Sequence, residues 1–240
     1  MHVKTKAIVI SVLKFQEKNL IVKCFTLSDG LKSYFVRNVF ATQKNKTHGS
    51  KIAYFQPLTI LEIEANHKNK GTLEHFKEVK LSFPFQTINR TIFKSTIAIF
   101  LSEVLHHAIK EEEKNENLFY YLETTLQWLD THSHVSNFHL ILLLEITKYL
   151  GFYPDISNKN LPYFEKIEGI FTPIESSSCL SKEQTRLFTK LIALKLDDES
   201  SHFSSTERHT LLNVLLNYYS THLDGFKKPK SLDVFKEVFA

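Results

Sequence analysis

The first 85 residues alternate short apolar runs with clusters of turn-forming residues. Five of these runs are rich in β-branched and aromatic residues, which favour strands. They lie at residues 6–15, 20–28, 31–39, 53–65 and 73–81. Ser28-Asp29-Gly30 is typical of a tight hairpin turn, because Asp and Gly tolerate positive φ. Pro57 cannot donate a ladder hydrogen bond, so it predicts a bend, a bulge or an edge in the fourth run. The pattern predicts a small, closed or nearly closed five-stranded barrel.

After residue 85 the apolar positions recur with the period of a helix, as in residues 87–112. Residues 181–184 read S-x-x-Q and residues 204–207 read S-x-x-E, and both are capping boxes that begin helices. Gly151 with Pro154 just beyond it is a typical helix end. These signals predict a bundle of about five or six helices.

The change of period predicts an α+β protein of two domains. The first, residues 1–82, is the barrel, and the second, residues 83–240, is helical with an irregular insert at about 152–180. The two cysteines, Cys24 and Cys179, are too few for a disulfide framework and fit a reducing cytoplasm. We expect neither a signal peptide nor a transmembrane helix, since no suitable apolar run is present.

Positive charge is concentrated in the predicted barrel. Residues 1–80 hold 14 basic and 6 acidic residues, a net charge of +8, whereas residues 81–240 carry −4. No acidic residue interrupts the chain from Leu31 to Leu61. A concentrated positive field points to a polyanionic partner, most often nucleic acid. A lysine-rich surface that serves only solubility is the alternative.

The sequence offers no recognisable enzyme site. With six glycines in all, it contains neither a Walker A loop nor G-x-G-x-x-G, and it has no G-x-S-x-G elbow. The pairs His106-His107 and His132-x-His134 have no second ligand pair beside them. The acidic residues 196–200 lack the glycine and the spacing of a calcium loop. We therefore predict no catalytic residues and no metal site.

A basic barrel suits single-stranded nucleic acid, which needs cations for its backbone and apolar or aromatic platforms for its bases. Tyr34 and Phe35 are neighbours on the third strand, so one should pack in the core while the other is the candidate platform. Nothing indicates base-specific recognition. The residues predicted to bind DNA are Lys32, Tyr34, Arg37, Lys44, Lys46, Lys51, Lys68 and Lys70.

Four stretches in this order are familiar: "TKAIVISVLKFQEKNLIVKCFTLSDGLKSYFVRNVF", "FQPLTILEIE", "LEITKYLGFYPD" and "KSLDVFKEVF". On these, the chain resembles the RecO family of bacterial DNA repair and recombination mediators over essentially its whole length. The resemblance implies an N-terminal OB-fold barrel followed by a helical domain, in a cytoplasmic, nucleoid-associated protein that does not hydrolyse nucleotides.

The resemblance also implies an activity. Members bind single- and double-stranded DNA, anneal complementary strands and, with RecR, help to load the RecA recombinase onto DNA coated with single-stranded DNA-binding protein. The implied partners are RecR, in some cases RecF, and the acidic C-terminal tail of the single-stranded DNA-binding protein. For that tail the helical residues that we select as candidates are Lys148, Arg186, Lys190 and Arg208.

The sequence departs from the family in the insert. Many members carry two C-x-x-C-type pairs there, which bind zinc, whereas this chain has only Cys179. One thiolate cannot supply a tetrahedral site, so we predict no zinc and no other cofactor. Apolar residues should pack the insert instead; they are Leu161, Tyr163, Phe164, Ile167, Ile170 and Phe171. Asn38 replaces a frequent family glycine and still tolerates positive φ.

Two other functions fit a basic barrel joined to helices. One is a protein-interaction scaffold, which would not anneal complementary oligonucleotides. The other is an RNA-binding OB-fold protein, which would prefer RNA to DNA of equal sequence.

Overall fold

The strands predicted in the first 85 residues form one antiparallel sheet. The computed structural model describes residues 1–39, 51–68, 72–110, 114–198 and 203–239. The sheet has the order β3-β2-β1-β4-β5, and each strand is antiparallel to its neighbours. Its strands are β1 (His2–Phe15), β2 (Asn19–Thr26), β3 (Gly30–Val36), β4 (Ile60–Asn66) and β5 (His75–Leu81).

A single parallel bridge joins the two edges of this sheet. The N–H of Phe35 donates to the Glu74 carbonyl, and the N–H of Glu74 donates to the Ser33 carbonyl, both at 2.8 Å. Five strands in this order, with the third beside the fifth, are the arrangement of an OB fold. The predicted fold class is confirmed.

The fourth predicted run is only partly a strand. A short 3-10 helix occupies Lys51–Phe55, and β4 begins at Ile60. Between them, Leu58 has a φ of 62°, and its N–H donates to the Val9 carbonyl at 2.9 Å. The bend predicted at Pro57 is therefore present, but the strand prediction for residues 53–59 is wrong because proline and a left-handed residue interrupt the ladder.

One side of the sheet forms a dry core. Successive strand residues face opposite sides, and the core-facing residues of β2, of β4 and of the first part of β1 are buried there. Ala7, Val22, Cys24 and Ile63 belong to this core, and none is more than 1% exposed. Burial raises the pKa of the Cys24 thiol, which keeps it protonated and inert.

Two helices cover part of the other side. They are α1 (Ile92–Ala108) and α2 (Glu116–Thr131), and with the sheet they form one compact unit, Met1–Thr131. The Phe25 ring of β2 lies 5.9 Å from the Phe119 ring of α2, and Lys6 Nζ lies 2.8 Å from Glu123 Oε1. The change from strands to helices thus falls after Leu81, while the first compact unit extends to Thr131.

Asp130, near the end of α2, holds the segment that leads into α1. Its carboxylate accepts hydrogen bonds from the N–H groups of Gln86, Thr87 and Ile88 at 2.7 to 3.0 Å. Partial burial opposes ionisation, but these three backbone donors outweigh it and lower the pKa of Asp130. The carboxylate therefore remains ionised and fixes residues about 40 positions away in the sequence.

The second compact unit, His132–Ala240, is helical with a small hairpin. Both predicted capping boxes form, since Ser181 and Ser204 exchange hydrogen bonds with Gln184 and Glu207. Gly151, with a φ of 85°, ends the first helix as predicted. The elements are α3 (Phe138–Leu150), β6 (Tyr163–Glu165), β7 (Ile170–Thr172), α4 (Lys182–Ala193), α5 (Ser205–His222) and α6 (Leu232–Val238).

Aromatic rings hold the insert at residues 152–180 against α4 and α5. The Phe164 ring lies 5.0 Å from Phe171, 4.7 Å from Phe188 and 5.7 Å from Tyr218. Of the residues predicted to pack here, Tyr163, Phe164 and Phe171 are buried and Leu161 is half-buried. The prediction is wrong for Ile167 and Ile170, which are exposed because they lie at the tip of the β6–β7 hairpin.

Candidate nucleic-acid interface

Part of the outer side of the sheet is left open to solvent. The register places Leu13, Ile21 and Phe35 in one row across β1, β2 and β3. Because Val22 and Tyr34 face the core, their neighbours Ile21 and Phe35 face outward. Leu13 is 63% exposed. We call this surface the outer strip; it consists of Leu13, Phe15, Ile21, Lys23, Phe35 and Arg37.

Phe35 is the centre of the outer strip. The Phe15 ring meets it edge-on at 5.9 Å, and the His75 ring does so at 6.0 Å. The guanidinium carbon of Arg37 lies 5.8 Å from the Phe35 ring centroid, and Arg37 is exposed. A partly exposed ring with a cation next to it can stack a base and contact the attached phosphate.

The position of Tyr34 contradicts the sequence prediction. It was predicted to contact DNA, but it is 0% exposed and packs in the core of the sheet. Its ring stacks on Phe76 at 4.0 Å with an interplanar angle of 15°, and burial raises the pKa of its hydroxyl. The alternation along β3 left either Tyr34 or Phe35 as the platform, and Phe35 is the outward ring.

A buried histidine ties four parts of the chain together at one end of the sheet. His67 Nδ1 donates to the Asp29 carboxylate at 3.0 Å, and His67 Nε2 lies 2.7 Å from the Tyr34 hydroxyl. The Met1 amine donates to the His67 carbonyl at 2.7 Å. This network fixes the end of β4 from which Lys68 follows. No motif in the sequence indicated it, because its members are far apart along the chain.

The other residues predicted to bind DNA have varied positions. Arg37 and Lys68 are exposed, and the Lys68 N–H donates to Glu74 Oε1 at 2.7 Å. Lys32 is only 8% exposed, so little of it can reach a ligand. Lys51 begins the 3-10 helix. Lys44, Lys46 and Lys70 lie outside the described residues. Contact with DNA stays a prediction for all of these lysines and for Arg37.

A groove adjoins the outer strip where β3 and β5 separate beyond their bridge. It has a volume of about 590 Å³. Four aromatic residues contribute to its wall: Phe35, Tyr54, Phe55 and Phe76. Three exposed basic residues stand at its rim: Arg37, His75 and Lys77. The sequence did not reveal this groove, since it depends on the pairing of β3 with a distant strand.

Three of the four candidate partner-binding residues in the second unit come together. Arg208 Nη1 donates to the Phe203 carbonyl at 2.7 Å, and Lys190 Nζ lies 4.9 Å from the centroid of the Phe203 ring. Arg186 Nη2 lies 3.8 Å from Glu207 Oε1, one residue from Arg208. Lys148 instead contacts Glu145 at 2.5 Å and lies over the Tyr153 ring.

Within the part of the chain that the structure describes, no group of three or more His, Cys, Asp or Glu residues could hold a metal ion. Cys179 is partly exposed, and its Sγ lies 3.2 Å from Ser176 Oγ. In the same described residues, every helix is too short or too polar to cross a membrane.

Sequence models of two domains match the chain. "Recombination protein O N terminal" matches residues 1–85, and "Recombination protein O C terminal" matches residues 89–233. The chain belongs to the RecO family. It is 66% identical over 240 residues to a DNA repair protein RecO of Flavobacterium johnsoniae, with all of both chains covered. The RecO protein of Flavobacterium psychrophilum is 65% identical over 241 residues, again with full coverage.

More distant RecO proteins also match along their whole length. That of Bacteroides fragilis is 36% identical over 242 residues, covering 98% of each chain. The family resemblance inferred from four short stretches is therefore confirmed, and with it the assignment to DNA repair and recombination.

Proposed function

We propose that this RecO-family protein is a non-enzymatic mediator of homologous recombination. It binds single- and double-stranded DNA, anneals complementary strands and, with RecR, helps to load RecA onto DNA coated with single-stranded DNA-binding protein. It acts in the bacterial cytoplasm in association with the nucleoid, and RecF is a further partner. Family membership supports each of these roles.

One observation carries the DNA-binding part of the proposal: an outward aromatic ring with a cation beside it on the sheet of an OB fold. Phe35 offers the platform, and Arg37 and Lys23 supply the adjacent charge. OB folds bind oligonucleotides on this side of their second and third strands. The net charge of +8 in residues 1–80 adds a field that attracts a phosphate backbone.

The second unit provides a contact for the acidic tail of the single-stranded DNA-binding protein. Lys190 and Arg208 lie beside the buried Phe203, and Arg186 lies near Glu207. These cations complement the acidic residues of that tail. The insert folds without zinc, because the rings packed around Phe164 hold it in the way that a metal site otherwise would.

Fluorescence anisotropy with a short single-stranded oligonucleotide tests the DNA-binding part. We expect Phe35→Ala to weaken binding by about 1–3 kcal/mol, the contribution of one stacked base. Arg37→Ala should make the slope of log K against log salt shallower by about 0.7, as the loss of one phosphate contact on a single strand predicts.

Tyr120→Ala and Lys4→Ala are the matched controls. Tyr120 is an exposed ring on α2, and Lys4 is an exposed cation near the start of β1. Both controls should bind as the wild type does. Equal losses in the controls and the strip variants would place the site elsewhere, and a wild type that does not bind would overturn the proposal. Annealing of labelled complementary strands then separates a mediator from a scaffold.

A further inference from the structure

The groove between β3 and β5 has a rigid aromatic floor. The Phe76 ring is nearly parallel to the Tyr34 ring and to the Phe55 ring, with centroids 4.0 Å and 6.0 Å away. Tyr34 and Phe55 are buried, so they hold Phe76 in place. Tyr54 is half-buried at the same groove. A planar ligand would meet a surface that is already ordered, which reduces the entropy lost on binding.

A β-bulge places a lysine at the rim. Glu64 pairs with Glu78 and Ala65 pairs with Phe76, so Lys77 has no partner in β4. A bulge of this kind redirects the side chain of its extra residue. Lys77 is exposed and lines the groove opposite Arg37. The two rim cations therefore come from the two strands that separate.

The acidic residue of this groove is already paired. Glu78 Oε1 lies 2.8 Å from Lys80 Nζ in a solvent-exposed ion pair. The hydrogen bond from Lys80 is the main cause of the lowered pKa of Glu78. Beside this ion pair, the charged residues that line the groove are Arg37 and Lys77. The rim thus complements an anion, while the floor complements a flat apolar ring.

We propose that this groove receives one unstacked nucleobase of a bound single strand. The base packs against Tyr54 and the exposed part of Phe76, and its flanking phosphates face Arg37 and Lys77. The inference rests on the proposed DNA-binding function and deepens it. Phe35 belongs to both the outer strip and the groove, so a strand that crosses the strip reaches the groove without a further connection.

The size and chemistry of the groove favour a nucleotide over other ligands. Its volume of about 590 Å³ lies within the range of pockets that hold small organic ligands, about 300–1,000 Å³. A base within an intact duplex is paired and stacked, and taking it out requires a few kcal/mol. The groove should therefore favour single strands over duplexes. An extended acidic peptide added to the edge of β3 or β5 is the competing ligand.

Photocrosslinking tests the placement directly. An oligothymidine with one 5-iododeoxyuridine, irradiated in complex with the full-length protein, should attach to Tyr54 or Phe76, as mapped by mass spectrometry. Tyr54→Leu should weaken single-strand binding about 5- to 150-fold, the range for one lost base stack. Lys77→Gln, at an exposed bulge, should reduce the salt slope by about 0.7. Duplex binding should be unchanged in both variants.

The outcomes separate the two proposals. If the wild type binds no single-stranded DNA, the proposed function itself fails. If it binds and Phe35→Ala weakens it, while Tyr54→Leu and Lys77→Gln match the wild type and crosslinks lie only on Phe15 or Phe35, the groove proposal is overturned alone. Protection of Tyr54 from crosslinking by an acidic peptide, without loss of oligonucleotide binding, would make the groove a peptide site. Tyr120→Ala is again the control.

Discussion

Two aromatic clusters in this protein differ in what surrounds their rings. In the insert, Phe164 is enclosed by Phe171, Phe188 and Tyr218 and is fully buried. On the sheet, the Phe15 and His75 rings stand nearly perpendicular to Phe35, which remains partly open to solvent with the Arg37 guanidinium over its ring. Rings that are covered on all sides contribute to stability. A partly exposed ring with a cation next to it can bind a base.

The comparison predicts that substitutions in the two clusters have different effects. Those in the insert lower stability, whereas those on the sheet weaken DNA binding. Phe164→Ala should lower the free energy of unfolding by about 3–5 kcal/mol, since it leaves a cavity among packed rings. Urea denaturation measures this loss. Ile167→Ala, at an exposed position of the same insert, should change it by no more than about 0.5 kcal/mol. A Phe164→Ala protein as stable as the wild type would mean that the insert does not depend on its aromatic cluster.

The lysines that precede β4 in the sequence extend the comparison to binding. The variant Lys44→Ala/Lys46→Ala/Lys51→Ala should bind single-stranded DNA more weakly, and its salt slope should be shallower by about 2, because three phosphate contacts are lost. Anisotropy titrations at several salt concentrations give both values, and unfolding should be unaffected. If the slope is unchanged, these lysines do not contact DNA and the outer strip carries the binding.

The smallest expected effect is that of a chelator. Because we propose that aromatic packing replaces zinc in the insert, EDTA should leave the thermal midpoint unchanged, and added zinc should not raise it. A midpoint that falls with EDTA and recovers with zinc would contradict the proposal and place a metal among residues that include Cys179. Differential scanning fluorimetry is sufficient for this measurement.

Local signals in the sequence predicted most of the fold. Ser181 and Ser204 began helices as expected, because a capping box needs only four consecutive residues. Alternation along β3 predicted that Tyr34 and Phe35 face opposite sides. It could not say which side is the core, because that depends on what covers each face, and the assignment of Tyr34 to DNA was consequently wrong.

The groove and the buried network could not be predicted for a related reason. The bridge between Tyr34 and Glu74 joins residues that are 40 positions apart, and the bulge at Lys77 is defined only by its pairing with β4. His67 likewise meets Asp29 across 38 positions. Such contacts follow from how distant strands pair across the sheet rather than from any short pattern.

The two helices that cover part of the outer side of the sheet decide which part of the chain could be separated as a folded unit. The family divides into sequence domains near residue 85, but α2 packs Phe119 on Phe25 and holds residues 86–88 through Asp130. A fragment cut at the family boundary would expose that apolar surface to water and should self-associate. The part of the chain that could be transferred to another protein as a folded unit is therefore not the OB fold alone. It is the sheet together with its two helices.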